Sequence, residues 1–170
     1  LSKLGQGNRE SAIVELETAA NLDEQSPRAG VLLVMAHLQT RDFNKALKAA
    51  EKLEKDQADS PLVQNLKGSI YVGMKDLAKA RASFEKALTL KRDYFPAISN
   101  LARLDIQEGK IEQAKQRFEE ILKQDKKHIQ AMHALAGIAL TQNNKNEAIA
   151  WFERASNENP NELQPALQLG

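Results

Sequence analysis

Residues 79–88 read KARASFEKAL, and residues 113–122 read QAKQRFEEIL. The two stretches lie 34 positions apart and hold an alanine, a phenylalanine and an acidic residue in the same order. When the whole sequence is aligned with itself at this offset, five alanines share one position: Ala12, Ala46, Ala80, Ala114 and Ala148. An apolar residue follows each alanine after four positions, and another follows three positions later. This spacing places the apolar side chains on one face of an α-helix.

A further helix is predicted upstream of each of the last four alanines. Small or slim residues recur at one position of this first helix, where a neighbouring helix can approach closely: Val34, Gly68, Ala102 and Ala136. Polar breaks such as GMKD separate the two helices, and turn signals such as Ser60-Pro61 separate the units. One helical hairpin cannot bury its apolar faces alone, so we expect the hairpins to stack into a single solenoid. Its predicted boundaries are a partial repeat at 1–26, repeats at 27–60, 61–94, 95–128 and 129–162, and the start of another at 163–170.

The unit 61–94 resembles the tetratricopeptide repeat, a helix-turn-helix motif with this same 34-residue period. Its matches to the family pattern are Gly68, Tyr71, Ala80, Phe84 and Ala87. It differs from the pattern where Gln64, Lys67 and Arg92 stand in place of Trp, Leu and Pro. The matches of the unit 129–162 are Leu135, Ala148, Phe152, Ala155 and Pro160. The resemblance covers nearly the whole chain and implies an all-α, right-handed superhelical solenoid of helix-turn-helix repeats.

The two ends of the chain fall inside repeats. In the common register, Leu1 lies within a first helix, and Leu169-Gly170 stands where the family motif Leu-Gly opens another repeat. Solenoids usually close with polar capping helices, so we expect the parent chain to continue in both directions. We also expect the unfinished end faces to allow self-association between copies.

A finer resemblance lies in residues 90–105, LKRDYFPAISNLARLD. An aromatic residue and Pro-Ala lead there into Asn-Leu-Ala-Arg-Leu. This order is similar to repeats of the bacterial TPR-repeat lipoproteins of the PEP-CTERM protein-sorting and exopolysaccharide system. The resemblance implies an exported parent on the periplasmic side of a bacterial envelope, tethered by an N-terminal lipid anchor, although these 170 residues include no lipobox cysteine.

The composition argues against several classes of partner and of structural site. The chain has 24 basic and 23 acidic residues, so no strong field favours nucleic acid or an acidic membrane surface. It has no cysteine, which excludes disulfides and thiolate metal sites. No apolar run approaches the roughly 18 residues that indicate a membrane span. We therefore expect no nucleic-acid partner and no membrane insertion of this segment.

The sequence predicts no catalytic or metal centre and no cofactor. His128 and His133 lie five residues apart, on different helix faces, unlike the i, i+4 pair of a zinc-binding helix. His37, Tyr71 and Asp105 share one repeat position, where hydrogen bonding within the packing is favoured over catalysis. No nucleophile motif with a supporting base is present. The chain is therefore predicted not to be an enzyme.

Binding along the first helices is the functional prediction. In tetratricopeptide domains these helices face a concave groove that holds extended peptides or partner helices. The resemblance assigns the groove to Val31, Met35, Asn65, Ser69, Ser99, Asn100, Arg103 and His133. Asn65 can pair with a peptide group, Arg103 can bind a carboxylate, and Met35 can adapt to irregular apolar surfaces. The sequence thus predicts a protein–protein interaction scaffold; the alternative is an architectural spacer or self-associating segment without a groove ligand.

Overall fold

The computed structural model describes residues 27–158, together with residues 11, 13–16 and 18. This described part of the chain is helical without any strand, which confirms the all-α prediction. Residues 11, 13–16 and 18 are helical, and eight helices follow: α1 (Pro27–Gln39), α2 (Phe43–Asp56), α3 (Pro61–Gly73), α4 (Leu77–Leu90), α5 (Phe95–Gln107), α6 (Ile111–Gln124), α7 (Ile129–Thr141) and α8 (Lys145–Glu158). The right-handed superhelix and the division into repeats stay predictions.

Consecutive helices pack as hairpins. Helix α1 packs on α2, α3 on α4, and α7 on α8. The second helix of one hairpin also contacts the first helix of the next, as α2 does with α3 and α6 with α7. The chain divides into two compact units between Ala97 and Ile98, and each unit is described separately below. Stacking of hairpin on hairpin is the packing expected of a helical solenoid.

The alanines of the repeated motif lie in the core. Ala46, Ala80, Ala114 and Ala148 are each at most 1% exposed, while Ala12 lies outside the described residues. Four residues further on, the side chains of Ala50, Phe84 and Phe118 are buried, and Phe152 is half-buried. The repeat period therefore marks the packing face of the second helices correctly.

Gly68 marks the close approach between α3 and α4. The Phe84 ring, 1% exposed, lies directly against the Gly68 backbone. A Cβ atom added to Gly68 would collide with this ring, lying 2.8 Å from its Cζ atom. Glycine at this position thus lets the aromatic ring occupy the space between the two helices.

The four hairpin turns between residues 27 and 158 each contain a residue with positive φ. Their residues with positive φ lie at one repeat position: Arg41 (60°), Lys75 (64°), Gly109 (76°) and Asn143 (62°). The backbone N–H of the following residue then donates to a carbonyl five residues back, as from Asp42 to His37 and from Asp76 to Tyr71, both at 2.9 Å. This bond caps the end of the first helix. The turn therefore fixes the direction in which the second helix departs.

Candidate peptide-binding face

The second, fifth, ninth and twelfth positions of a repeat lie on one side of its first helix, and these residues are called here the first-helix face. In the unit before Ile98, the face on α1 consists of Arg28, Val31, Met35 and Leu38. The face on α3 consists of Leu62, Asn65, Ser69 and Val72. Helices α1 and α3 contact each other, so the repeat brings the two rows side by side.

Several apolar side chains are exposed to solvent on this face. Met35 is 46% exposed, Leu62 39% and Val72 38%. Val31 and Leu38 are half-buried because they also pack against the core of the unit. The face therefore combines accessible apolar groups with a rigid apolar base.

The polar residues of the same face are less open than the sequence suggests. Asn65 is 9% exposed, and Ser69 is half-buried. The Ser69 hydroxyl donates to the Asn65 carbonyl oxygen at 3.0 Å within α3. Asn65 thus presents little surface, and its role as a peptide contact stays a prediction.

In the unit after Ala97, three residues assigned to the groove share α5. Ser99 and Asn100 are half-buried, whereas Arg103 is exposed. His133 lies on α7, half-buried, with its ring centroid 5.7 Å from that of Phe152. Its Nε2 atom is buried and has no hydrogen-bond partner among the described residues. Gly137, four residues further along α7, leaves open space where a side chain would stand.

An aliphatic residue at the twelfth position of every repeat was not singled out by the sequence pattern. The row consists of Leu38, Val72, Ile106 and Leu140. Val72 is 38% exposed and Leu140 51% exposed, while the other two are half-buried. These four aliphatic residues also recur at intervals of 34 residues, and they lie in the last turn of each first helix rather than in its centre.

The first-helix face is poor in charge. Arg28 and Arg103 carry its only formal charges, and no Asp or Glu occurs at these positions between residues 27 and 158. The whole chain, by contrast, is 28% charged. A partner that lies on this face therefore meets apolar and uncharged polar groups with an occasional cation.

A polar cluster behind the face holds α3 against α2. The Glu54 carboxylate on α2 accepts hydrogen bonds from Lys67 Nζ at 2.6 Å, Gln64 Nε2 at 2.7 Å and Lys86 Nζ at 3.0 Å. Gln64 is 1% exposed, and the Lys67 side chain is 15% exposed. Gln64 and Lys67 are two of the three residues of this unit that depart from the family pattern. Glu54 explains both departures, because it satisfies the two polar groups where apolar residues are usual.

This cluster predicts an acid-dependent loss of stability. The hydrogen bond from Lys67, followed by that from Gln64, lowers the pKa of Glu54 from 4.5 to about 2. Because the folded pKa is depressed, the stabilisation is fully present above pH 4.5 and is lost as the pH falls through about 2. We expect the difference in free energy of unfolding between the parent and Glu54→Gln to shrink as the pH is lowered from about 5 to about 2.

Urea denaturation of both proteins at several pH values measures that difference. Glu120→Gln is the matched control, since it makes the same change at an exposed carboxylate that pairs with Lys123 at 3.0 Å. A difference between parent and Glu54→Gln that stays constant over this pH range would contradict the role of Glu54.

The shared polar position found in the sequence is a packing position. His37 is 3% exposed, Asp105 0% and Ala139 0%, while Tyr71 is half-buried. Asp105 on α5 pairs with Arg117 on α6, whose Nε atom donates to Oδ2 at 2.6 Å. The sequence pattern did not indicate Arg117. This ion pair favours a structural role for Asp105.

The described residues show neither a metal cluster nor a membrane helix. No group of three or more His, Cys, Asp or Glu side chains is placed to hold a metal ion in this part of the chain. His128 instead caps α7, since its Nδ1 atom accepts from the backbone N–H of Ala131 at 3.2 Å. None of these helices has the length and apolar character needed to cross a membrane.

Comparison with known proteins identifies the repeat. The family model described as "Tetratricopeptide repeat" matches residues 3–70, 71–134 and 105–169. No curated protein matches the sequence.

Solved structures with this fold share little sequence with the chain. TTC0263, a TPR protein of Thermus thermophilus, has a TM-score of 0.72 at 18% identity, over 96% of this chain and 89% of that one. PilF of Pseudomonas aeruginosa has a TM-score of 0.67 at 22% identity, over 91% and 71% of the two chains. YrrB, described as a TPR protein with an unusual peptide-binding site, has a TM-score of 0.58 at 17% identity, over 95% and 84%. At these identities the similarity establishes the fold alone.

Proposed function

This chain belongs to the tetratricopeptide repeat family, and on that basis we propose that it is a non-enzymatic scaffold that binds an extended segment of a partner protein along its first helices. The tetratricopeptide fold is generally a protein–protein interaction scaffold. The observation that carries the proposal is the first-helix face, where exposed aliphatic groups stand among uncharged polar ones. A partner helix on the same face is the second possible form of the ligand.

The unit before Ile98 carries exposed apolar groups on its own first helices. Met35, Leu62 and Val72 offer accessible apolar area on two neighbouring helices. The unbranched Met35 side chain adapts to irregular surfaces. The Ser69 hydroxyl donates its proton to the Asn65 carbonyl, but its oxygen can accept a hydrogen bond from a backbone N–H of a bound segment. This part of the face suits alternating apolar side chains of an extended chain.

The unit after Ala97 supplies a cation. Arg103 is exposed on α5, and a guanidinium binds a carboxylate through two parallel hydrogen bonds. The absence of Asp and Glu from the described face means that no like charge opposes an acidic group of the partner. We therefore infer that a segment bound on α5 carries a carboxylate.

A peptide selection tests this proposal. Short random peptides displayed on phage are selected on the parent chain, and the enriched sequences are synthesised and titrated by fluorescence anisotropy. Met35→Glu and Val72→Glu each place a charge on the face, so each should weaken binding at least about tenfold, or about 1.4 kcal/mol. Ile149→Glu is the matched control, because Ile149 is 40% exposed on α8, the second helix of its hairpin, and is not one of the face positions.

The alternative is an architectural spacer that sets the distance between flanking parts. Failure to select any peptide, or equal weakening by the Ile149→Glu control, would favour that alternative. Self-association and an exported lipoprotein parent in PEP-CTERM sorting or exopolysaccharide export stay predictions from the sequence.

A further inference from the structure

An apolar cleft of about 280 Å³ lies beside the first-helix face. It opens between helical residues 13–16 and α1, and Ile13, Leu16, Leu32, Met35 and Ala36 form its apolar walls. At its rim the Thr40 hydroxyl is already satisfied, since it lies within hydrogen-bond distance of the Ala36 and His37 carbonyl oxygens at 3.2 and 3.1 Å. Gln39 also lines the cleft, so its described lining is mainly apolar with two polar residues, Gln39 and Thr40.

A small residue, Ala36, stands on the α1 wall of this cleft. Ala36 occupies the tenth position of its repeat, where the other three repeats carry large aliphatic residues: Ile70 (0% exposed), Leu104 (3%) and Ile138 (4%). Four residues earlier in the repeat, the exposed fractions also differ. Leu32 is 46% exposed, whereas its counterpart Leu66 is 7% exposed. Large side chains thus fill the contact between α2 and α3, whereas a cleft remains at the equivalent place between residues 13–16 and α1.

We propose that this cleft is an anchor pocket for one branched aliphatic or aromatic side chain of the partner segment, an inference that rests on the function proposed above. Apolar cavities of about 150 Å³ take up benzene, so about 280 Å³ suffices for a side chain of that size. None of the described residues that line it carries a formal charge, so these side chains would not compensate a charged group for its lost hydration.

The position of Met35 connects the pocket with the face. Met35 lines the cleft and is also the ninth-position residue of the face on α1. A segment that lies along the face therefore passes the mouth of the cleft and can insert a side chain without leaving the surface. A side chain buried in a pocket at the contact is the kind of residue that dominates binding energy.

The pocket can be probed with a small ligand. N-acetyl-leucinamide is titrated into the parent chain, and the methyl NMR signals of Leu32 and Met35 are followed. We expect saturating shifts in the parent and at least about tenfold weaker binding in Ala36→Ile, which restores the residue of the other repeats. Ala82→Ile on the exposed side of α4 is the control and should bind like the parent. A thermal melt of each variant shows whether isoleucine disturbs folding. If it does, the smaller Ala36→Val change is used in its place.

The selected peptides separate this inference from the proposed function. Ala36→Ile should weaken them at least about tenfold, and the effect should vanish for peptides whose apolar anchor is replaced by alanine. If Ala36→Ile binds them like the parent while Met35→Glu does not, the face binds peptides and the anchor pocket is wrong. Unshifted Leu32 and Met35 signals on titration would also overturn the pocket, whatever the peptides do.

Discussion

Replacing Phe84 with alanine is expected to lower the free energy of unfolding by about 3 to 5 kcal/mol. The ring is 1% exposed and fills the space between α3 and α4, against the backbone of Gly68. Its removal takes away apolar contacts and leaves a cavity that the packed helices can close only in part. Urea denaturation measures the loss.

The effect of Gly68→Ala on the free energy of unfolding is expected to change sign with the residue at position 84. In the parent, Gly68→Ala should cost about 1 to 3 kcal/mol, because the added methyl group collides with a buried ring that has little room to move. In Phe84→Ala the ring is absent, so the same Gly68→Ala change should stabilise α3 by up to about 1 kcal/mol through the higher helix propensity of alanine. The coupling of the two sites is therefore expected to be strong.

Gly137 supplies the control for this experiment. It lies inside α7, and a Cβ added there meets nothing within 4 Å. Gly137→Ala should therefore be neutral or mildly stabilising with either residue at position 84. If Gly68→Ala behaves like Gly137→Ala in the parent, the ring does not rest on Gly68.

The sequence predicts the core because helix packing is periodic. Ala46, Ala80, Ala114 and Ala148 recur at one offset and are all buried, since each second helix turns the same face toward its neighbours. Gly68 was also expected at a helix contact. Positions that are set by the shape of the backbone are thus visible in the residue pattern alone.

The polar partners could not be predicted in the same way. Glu54 binds residues 10, 13 and 32 positions away, and none of these separations is a helical period. Lysine and arginine reach partners over several ångströms with flexible stems, so the pairing depends on how two helices cross. The low exposure of Asn65 could not be predicted for a related reason, because the register gives the direction of its side chain but not the depth of the neighbouring side chains. The pocket beside Ala36 was missed because one small residue in a row of large ones forms no repeated pattern.

Arg117→Met is expected to destabilise the unit after Ala97 by about 3 to 5 kcal/mol. Asp105 is 0% exposed, and Arg117 provides an ion pair to it at 2.6 Å with a side chain that is 22% exposed. Methionine keeps most of the apolar stem of arginine but removes the charge. The buried carboxylate then loses this countercharge while it stays out of water, and that desolvation is the source of the cost.

The double variant Asp105→Leu, Arg117→Met should lose less stability than Arg117→Met alone. Both ionic groups are then absent, and replacing a whole buried pair with apolar residues is often nearly neutral, in contrast to breaking it. Lys123→Met tests the effect of removing a cation from the surface, where the Lys123 and Glu120 side chains are 72% and 54% exposed, and it should change stability far less than Arg117→Met because solvent screens an exposed pair. If Arg117→Met costs no more than Lys123→Met, the Asp105 carboxylate does not depend on Arg117. A double variant less stable than Arg117→Met would mean that Asp105 stabilises the α5–α6 hairpin through contacts other than this ion pair.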